Sequence, residues 1–205
     1  MNAAELSAAI ETEQREREQS FLAFPETVAG FELRPMTLRD MLLLMQLGNV
    51  YLAGMPATMA VEDRLKKYAL DSSSLIWLQS VTYKAHDKQA KRKIESALGD
   101  PACDLGNLTD GIYDYVKRAF YDQPASPVRD TQSKSYWSIG ASLVHAMGKT
   151  YGWTREQTLS EPLRVLWQLL KVQHYSNDPK APQFNPSDQI IAASLKARKE
   201  AANAQ

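Results

Sequence analysis

Apolar positions along this chain recur mainly at spacings of three and four, the period of a helix buried on one side. Thr37 is placed to cap a helix over 37–47, with Asp40 at the capping-box position and Gly48-Asn49 ending it. That segment is apolar on almost every face (Leu38, Met41, Leu42, Leu43, Leu44, Met45, Leu47), which predicts a central core helix or an interface. Two or three helices follow between Met59 and Leu98. Val61, Leu65, Tyr68 and Ala69 share one face, and Leu75, Leu78, Val81 and Thr82 share another beside Trp77. The first of these helices is expected within 59–84, with Ser72-Ser73-Ser74 as a cap or break. A charged helix is predicted from Asp87 to Leu98, ended by Gly99-Asp100-Pro101.

Asn107 is expected to cap a helix over 107–120 carrying Leu108, Ile112, Tyr115, Val116 and Phe120. Ile139, Gly140, Leu143 and Met147, preceded by Tyr136, form the stripe of a helix over 133–150. Thr154 with Gln157 repeats the capping-box grammar, and Pro162 opens a helix over 161–175 that buries Leu163, Leu166, Trp167 and Leu170. Both Trp153 and Trp167 are expected inside. Asn185-Pro186 starts a last helix with Ile190, Ile191, Ser194 and Leu195.

Only one stretch departs from the helical period. Phe21, Phe24, Val28, Phe31 and Leu33 are interrupted by Pro25, Gly30 and Pro35, which predicts a short hairpin turning at Val28-Ala29-Gly30. The expected fold class is therefore all-α: an irregular multi-helix domain with one extended or hairpin segment within 21–35. Its parts are a charged helical arm over 1–20, a helical region over 21–122, a Pro/Ser linker over 123–132, a second helical region over 133–195 and a polar tail over 196–205. Tyr51 to Pro56 reads as a loop.

The 205 residues carry 24 Lys+Arg and 24 Asp+Glu, so no global field draws in nucleic acid or anionic lipid. The basic run Lys84, His86, Lys88, Lys91, Arg92, Lys93 is interrupted by Asp87 and followed by Glu95, and reads as a solvated helix face. One cysteine, Cys103, allows no internal disulfide. Carboxylates flank it, which raises rather than lowers a thiol pKa. His86, His145 and His174 are scattered with no metal-ligand spacing, and the two later ones read as satisfied structural histidines. No phosphate loop or nucleophile elbow occurs. The expectation is a protein without enzymatic chemistry, cofactor or metal. No apolar run reaches the roughly 20 residues of a membrane span, and the first residues lack the pattern of a signal peptide, so a cytoplasmic location is expected.

Two segments together resemble a known group of proteins. Gly30-Phe31-Glu32-Leu33-Arg34-Pro35-Met36-Thr37-Leu38-Arg39-Asp40-Met41-Leu42-Leu43-Leu44 is similar to the "LRPLTL-x-x-LLLL" opening of small phage and prophage proteins encoded among tail genes. Tyr151-Gly152-Trp153-Thr154-Arg155-Glu156-Gln157-Thr158-Leu159-Ser160-Glu161-Pro162-Leu163 resembles the "YGWT-x-E-x-x-L-x-x-PL" element of tail assembly chaperone-like proteins. The two segments, of 15 and 13 residues, cover 28 of 205. The resemblance implies a tail assembly chaperone that coats the tape-measure protein and helps recruit tail-tube protein in the host cytoplasm. A structural virion protein of the tail, neck or baseplate is the alternative. Self-association is compatible with either. The partner-binding residues expected on this reading are Met41, Leu44 and Met45, at i, i+3 and i+4 of one helix face.

Overall fold

A computed structural model describes residues 21–81, 88–98, 104–120 and 138–177, and before them Ala8, Glu11, Thr12, Arg15, Glu18 and Gln19. The last six are helical and exposed. The linker at 123–132, the helix expected from Asn185, the polar tail, Tyr136, Lys84, His86 and Cys103 lie outside the described residues. Within them the chain is all-α apart from one hairpin. The elements are β1 (Glu26–Val28), β2 (Phe31–Leu33), α1 (Leu38–Gln46), α2 (Val50–Ala53), α3 (Val61–Gln79), α4 (Lys88–Leu98), α5 (Leu105–Ala119), α6 (Ile139–Tyr151), α7 (Arg155–Ser160) and α8 (Leu163–Asn177).

The hairpin pairs β1 with β2 in antiparallel register, Val28 opposite Phe31. Its two-residue turn places Ala29 at φ 47° and Gly30 at φ 83°. A turn with both central residues left-handed matches the strand twist, but only glycine enters that region without a Cβ penalty. Beyond β2 the chain stays clipped to the end of α3: Arg34 N donates to Gln79 O at 2.7 Å, and Val81 N donates to Glu32 O. Val81 has thus left the helix, and it is exposed. Gly111 on α5 lies so close to the hairpin that a Cβ there would sit 3.2 Å from Val28 Cγ1.

The two segments carrying the resemblance meet face to face. Thr37 bridges Pro162, Leu38 N donates to Glu161 O, and Leu163 N donates to Met36 O at 2.7 Å. Each helix start here uses a complete capping box, Thr37 with Asp40 and Thr154 with Gln157. An Arg39–Glu156 ion pair closes the outer side. Asp40 does more than cap. Its Oδ1 accepts from Arg34 Nη2 at 2.9 Å, while Oδ2 accepts from Arg34 Nη1 at 2.8 Å, Thr37 N at 3.1 Å and Thr37 Oγ1 at 2.7 Å. Arg34 Nη2 also donates to Leu78 O. The hairpin exit, α1 and α3 are thereby held by one carboxylate.

Among the described residues, buried side chains from both parts of the chain share one core. Leu38, Met41 and Leu44 of α1, Leu75 and Ile76 of α3, Leu108, Ile112 and Tyr115 of α5, Leu143 and Met147 of α6, and Leu163, Leu166 and Trp167 of α8 form one buried cluster. Gly140 brings α6 against α1, where a Cβ would meet Leu42 Cδ1 at 2.8 Å. Trp167 is buried as expected. Trp153 is only half-buried, because it packs at the rim against Tyr151 (ring centroids 5.9 Å apart).

Three local expectations are corrected. Tyr51–Pro56 is not wholly a loop: Asn49 caps the single turn of α2, and Asp71 Oδ2 accepts Val50 N at 2.7 Å. Ser72-Ser73-Ser74 does not break α3, because Ser72 turns inward to Tyr51 Oη at 2.7 Å and Ser74 Oγ bonds back to Leu70 O. Asn107 does not cap α5. Asp104 does, accepting from Gly106 N and Asn107 N, so the helix starts two residues earlier.

Two substitutions test this account. Asp40→Ala should lower unfolding free energy by roughly 2–4 kcal/mol in urea titration, since it removes a cap and leaves Arg34 without its partner. Ala29→Gly should raise it by about 0.5–1 kcal/mol, the strain relieved exceeding the added unfolded-state entropy.

Candidate interaction surface

Among the described residues no group of three or more His, Cys, Asp and Glu could hold a metal ion. His145, read as a satisfied structural histidine, is instead exposed on the outer side of α6. His174 carries no described side chain. A hollow of about 10 Å³ lies between Glu26, Met36, Tyr115 and Arg164, which is room for one water and not for a metabolite. Glu26 there receives Arg118 Nε at 2.7 Å and Arg164 Nη1 at 3.2 Å, joining the hairpin to α5 and α8. Burial pushes the Tyr115 hydroxyl well above its ordinary pKa, and that hydroxyl donates to Arg34 O at 2.7 Å. These groups are committed to holding the fold. No helix among the described residues is long and apolar enough to cross a membrane.

Apolar surface is more informative. Met41 and Leu44, expected to bind a partner, are fully buried core residues. The reason is the clamp at Asp40 and Thr37, which turns the Leu38–Met41–Leu44 face inward. Only Met45 of the three reaches solvent, at 44 % exposure. The outward large apolar residues of this helix are Leu43, Met45 and, just beyond its end, Leu47 at 70 %.

A longer apolar feature lies on α3. Val61, Leu65, Tyr68, Ser72, Leu75 and Gln79 follow one another at steps of 4, 3, 4, 3 and 4, which keeps them on one side of the helix. Ser72, Leu75 and Gln79 are buried at the protein centre. Val61 and Leu65, continuing the same stripe, are 74 % and 68 % exposed. Every residue from Val61 to Lys66 is exposed. The first turns of α3 thus overhang the core with their apolar side uncovered.

The lower part of the helix is pinned firmly. Lys67 Nζ reaches Asp71 Oδ2 at 2.7 Å and Gly48 O at 2.9 Å, and Asn49 Nδ2 donates to Asp71 O. At the base of the overhang three tyrosines cluster. Tyr51 lies edge-on to Tyr68 (5.9 Å) and to Tyr113 (4.9 Å), and the Tyr68 and Tyr113 hydroxyls are 3.1 Å apart. Tyr68 and Tyr113 stay partly open to solvent, presenting rings with a polar tip, a type of side chain enriched at interfaces. The hydrogen bond to Tyr68, with burial adding to it, pushes the Tyr113 hydroxyl up to about 12.

The described part of the basic run, from Lys88 on, sits on α4, which docks through Ile94. Lys88, Arg92 and Lys93 are exposed, Lys91 faces Glu95 at 3.7 Å, and the Lys91 ammonium lies 5.7 Å from the Trp77 ring. These four described residues form a solvated face. Sequence spacing had placed Val61 and Leu65 on an apolar face, but their exposure depends on where the covering helices stop. Compared with known proteins, the chain matches no family model, no curated protein and no solved structure.

A raised tyrosine pKa favours the fold below pH 10 and loses that contribution as pH climbs through the folded value. The urea midpoint of the protein should therefore fall between pH 10 and about 12, and Tyr113→Phe should reduce that fall.

Proposed function

We propose that this chain is an assembly protein that binds an elongated helical partner, in the role its two motif segments resemble: a phage tail assembly chaperone. It would shield the tape-measure protein in the host cytoplasm and help recruit tail-tube subunits. The observation that carries the reading is the overhang of α3, where Val61 and Leu65 remain in water on a stripe that is buried further along the same helix. Apolar area left uncovered in this way is where soluble proteins meet partners. The exposed Leu43, Met45 and Leu47 add a second, smaller apolar area. The packing of 30–44 against 151–163 supports the reading in another way, because the two resembling segments form one structural unit.

Shielding a long apolar helix and later releasing it needs shallow contacts repeated many times, not one deep pocket. A few side chains per copy, each burying one apolar group worth roughly 1.5–3 kcal/mol, give a coat that a growing tube can displace.

Co-expression with a tape-measure protein tests the proposal. Wild-type protein should keep that partner soluble and co-purify with it. Val61→Glu/Leu65→Glu should melt within about 3 °C of wild type, because both sites are exposed, yet fail to retain the partner. A partner that stays insoluble, with no complex at any ratio, would refute the chaperone role. Stoichiometric presence in purified virions would make the protein a structural component instead.

A further inference from the structure

We infer that the overhang of α3 is half of a two-helix seam, and that its occupant is one amphipathic helix of a different chain. The inference deepens the binding reading above and rests on it. Three observations fix the class of occupant.

The first is register. The 4-3-4-3-4 steps from Val61 to Gln79 are those of the a and d positions of a heptad, the pattern by which two helices interlock. Helix packing already uses the lower end of this stripe, where Leu75 and Gln79 are buried. An added helix beside Val61 and Leu65 would continue a packing mode the protein already has.

The second is width. Glu62 and Arg64 flank the stripe on its two sides, and both are exposed. A stripe one seam wide between charged flanks suits a single helix. It is too narrow to lie in a bilayer interface, which takes a broad apolar face. A helix also offers no free backbone edge for an added strand. The half-open Tyr68 and Tyr113 rings close the lower end of the seam, so the occupant's last apolar side chain would rest on them.

The third is charge. Two copies pairing through this short overhang in antiparallel fashion are related by a two-fold axis that sets each flank against itself. Glu62 would then face Glu62 and Arg64 would face Arg64, and like charges at flanking positions select against such a pair. A different helix with lysine or arginine along one flank and glutamate or aspartate along the other meets both sides favourably.

The probe is a synthetic peptide of about 28 residues, long enough to form a helix on docking, with leucine at both seam positions and Lys and Glu on opposite flanks. A scrambled peptide of the same composition is the control. Fluorescence polarisation with the full chain should show saturable binding of the patterned peptide only. Leu65→Glu should weaken it by at least about tenfold. Leu70→Glu, also exposed but on the opposite side of α3, should leave it unchanged. Circular dichroism should show both variants folded. Sedimentation should show the free protein as a monomer at the concentrations used.

Equal binding by wild type and Leu65→Glu, or none by wild type, overturns the inference. So does a dimer that Leu65→Glu dissolves, because the occupant is then a second copy. If the tape-measure protein co-purifies while the peptide ignores Leu65→Glu, only the seam falls. If the peptide behaves as expected and the tape-measure protein does not bind, the seam stands and the chaperone role falls.

Discussion

Four hydrogen bonds converge on the carboxylate of Asp40, and the placement of the other helices follows from them. A buried carboxylate left unpaired would be expensive to take out of water. Here the forked guanidinium of Arg34 and the amide and hydroxyl of Thr37 share the charge. A buried ion pair is weak evidence for net stability, since desolvating both groups offsets most of the attraction. What it supplies is a single geometry. The bidentate fork fixes the angle between the hairpin exit and α1, and the second bond of Arg34, to Leu78 O, fixes both against α3. With Thr37 set in that way, its edge is free to bridge Pro162, and α7 and α8 dock where the bridge puts them.

A second carboxylate works in parallel just past the other end of α1. Asp71 accepts Val50 N and faces Lys67, so α2 begins against the middle of α3 rather than near its start. Tyr51 then reaches Ser72, and Tyr115 from α5 approaches Gln79. All three of these links fall at or after residue 71 of α3. A helix of 19 residues is about 28 Å long. Its neighbours are tied to it from Lys67 onward, so the turns before that residue project beyond them. The exposed stripe is thus the remainder left when a long helix is anchored at one end.

Much of this was legible in the chain. Both capping boxes follow from Thr-x-x-Asp and Thr-x-x-Gln ahead of apolar runs, and the hairpin turn follows from Ala29-Gly30. Local grammar of this kind depends on residues a few positions apart, so it survives without tertiary information. What was not legible depended on distant partners. Ser72-Ser73-Ser74 looks like a break because serine competes with the helix backbone, and only Tyr51, 21 residues earlier, gives the Ser72 hydroxyl a place inside. Met41 and Leu44 were candidates because α1 is apolar all round. Which side faces inward is decided by Asp40 and Pro162, not by periodicity. Val61 and Leu65 show the converse: the correct face was visible, but the point where its cover ends was not.

The division between what builds the fold and what remains free bears on how the resemblance should be weighed. Its two segments are the ones that Thr37, Asp40, Glu161 and Pro162 lock together, and most of their large apolar residues are in the core or packed against it. Such residues answer to packing, so a likeness there speaks first to a shared scaffold. On the proposed reading, partner choice would be written elsewhere, on side chains that can change without unfolding the protein. The overhang meets that condition. Val61, Glu62, Arg64 and Leu65 are all exposed, and none is in the buried core cluster. A scaffold held by buried carboxylates and carrying a separate projecting seam can keep its shape while the seam is matched to a new helix. That arrangement suits the proposed role, in which one long partner is recognised and then released.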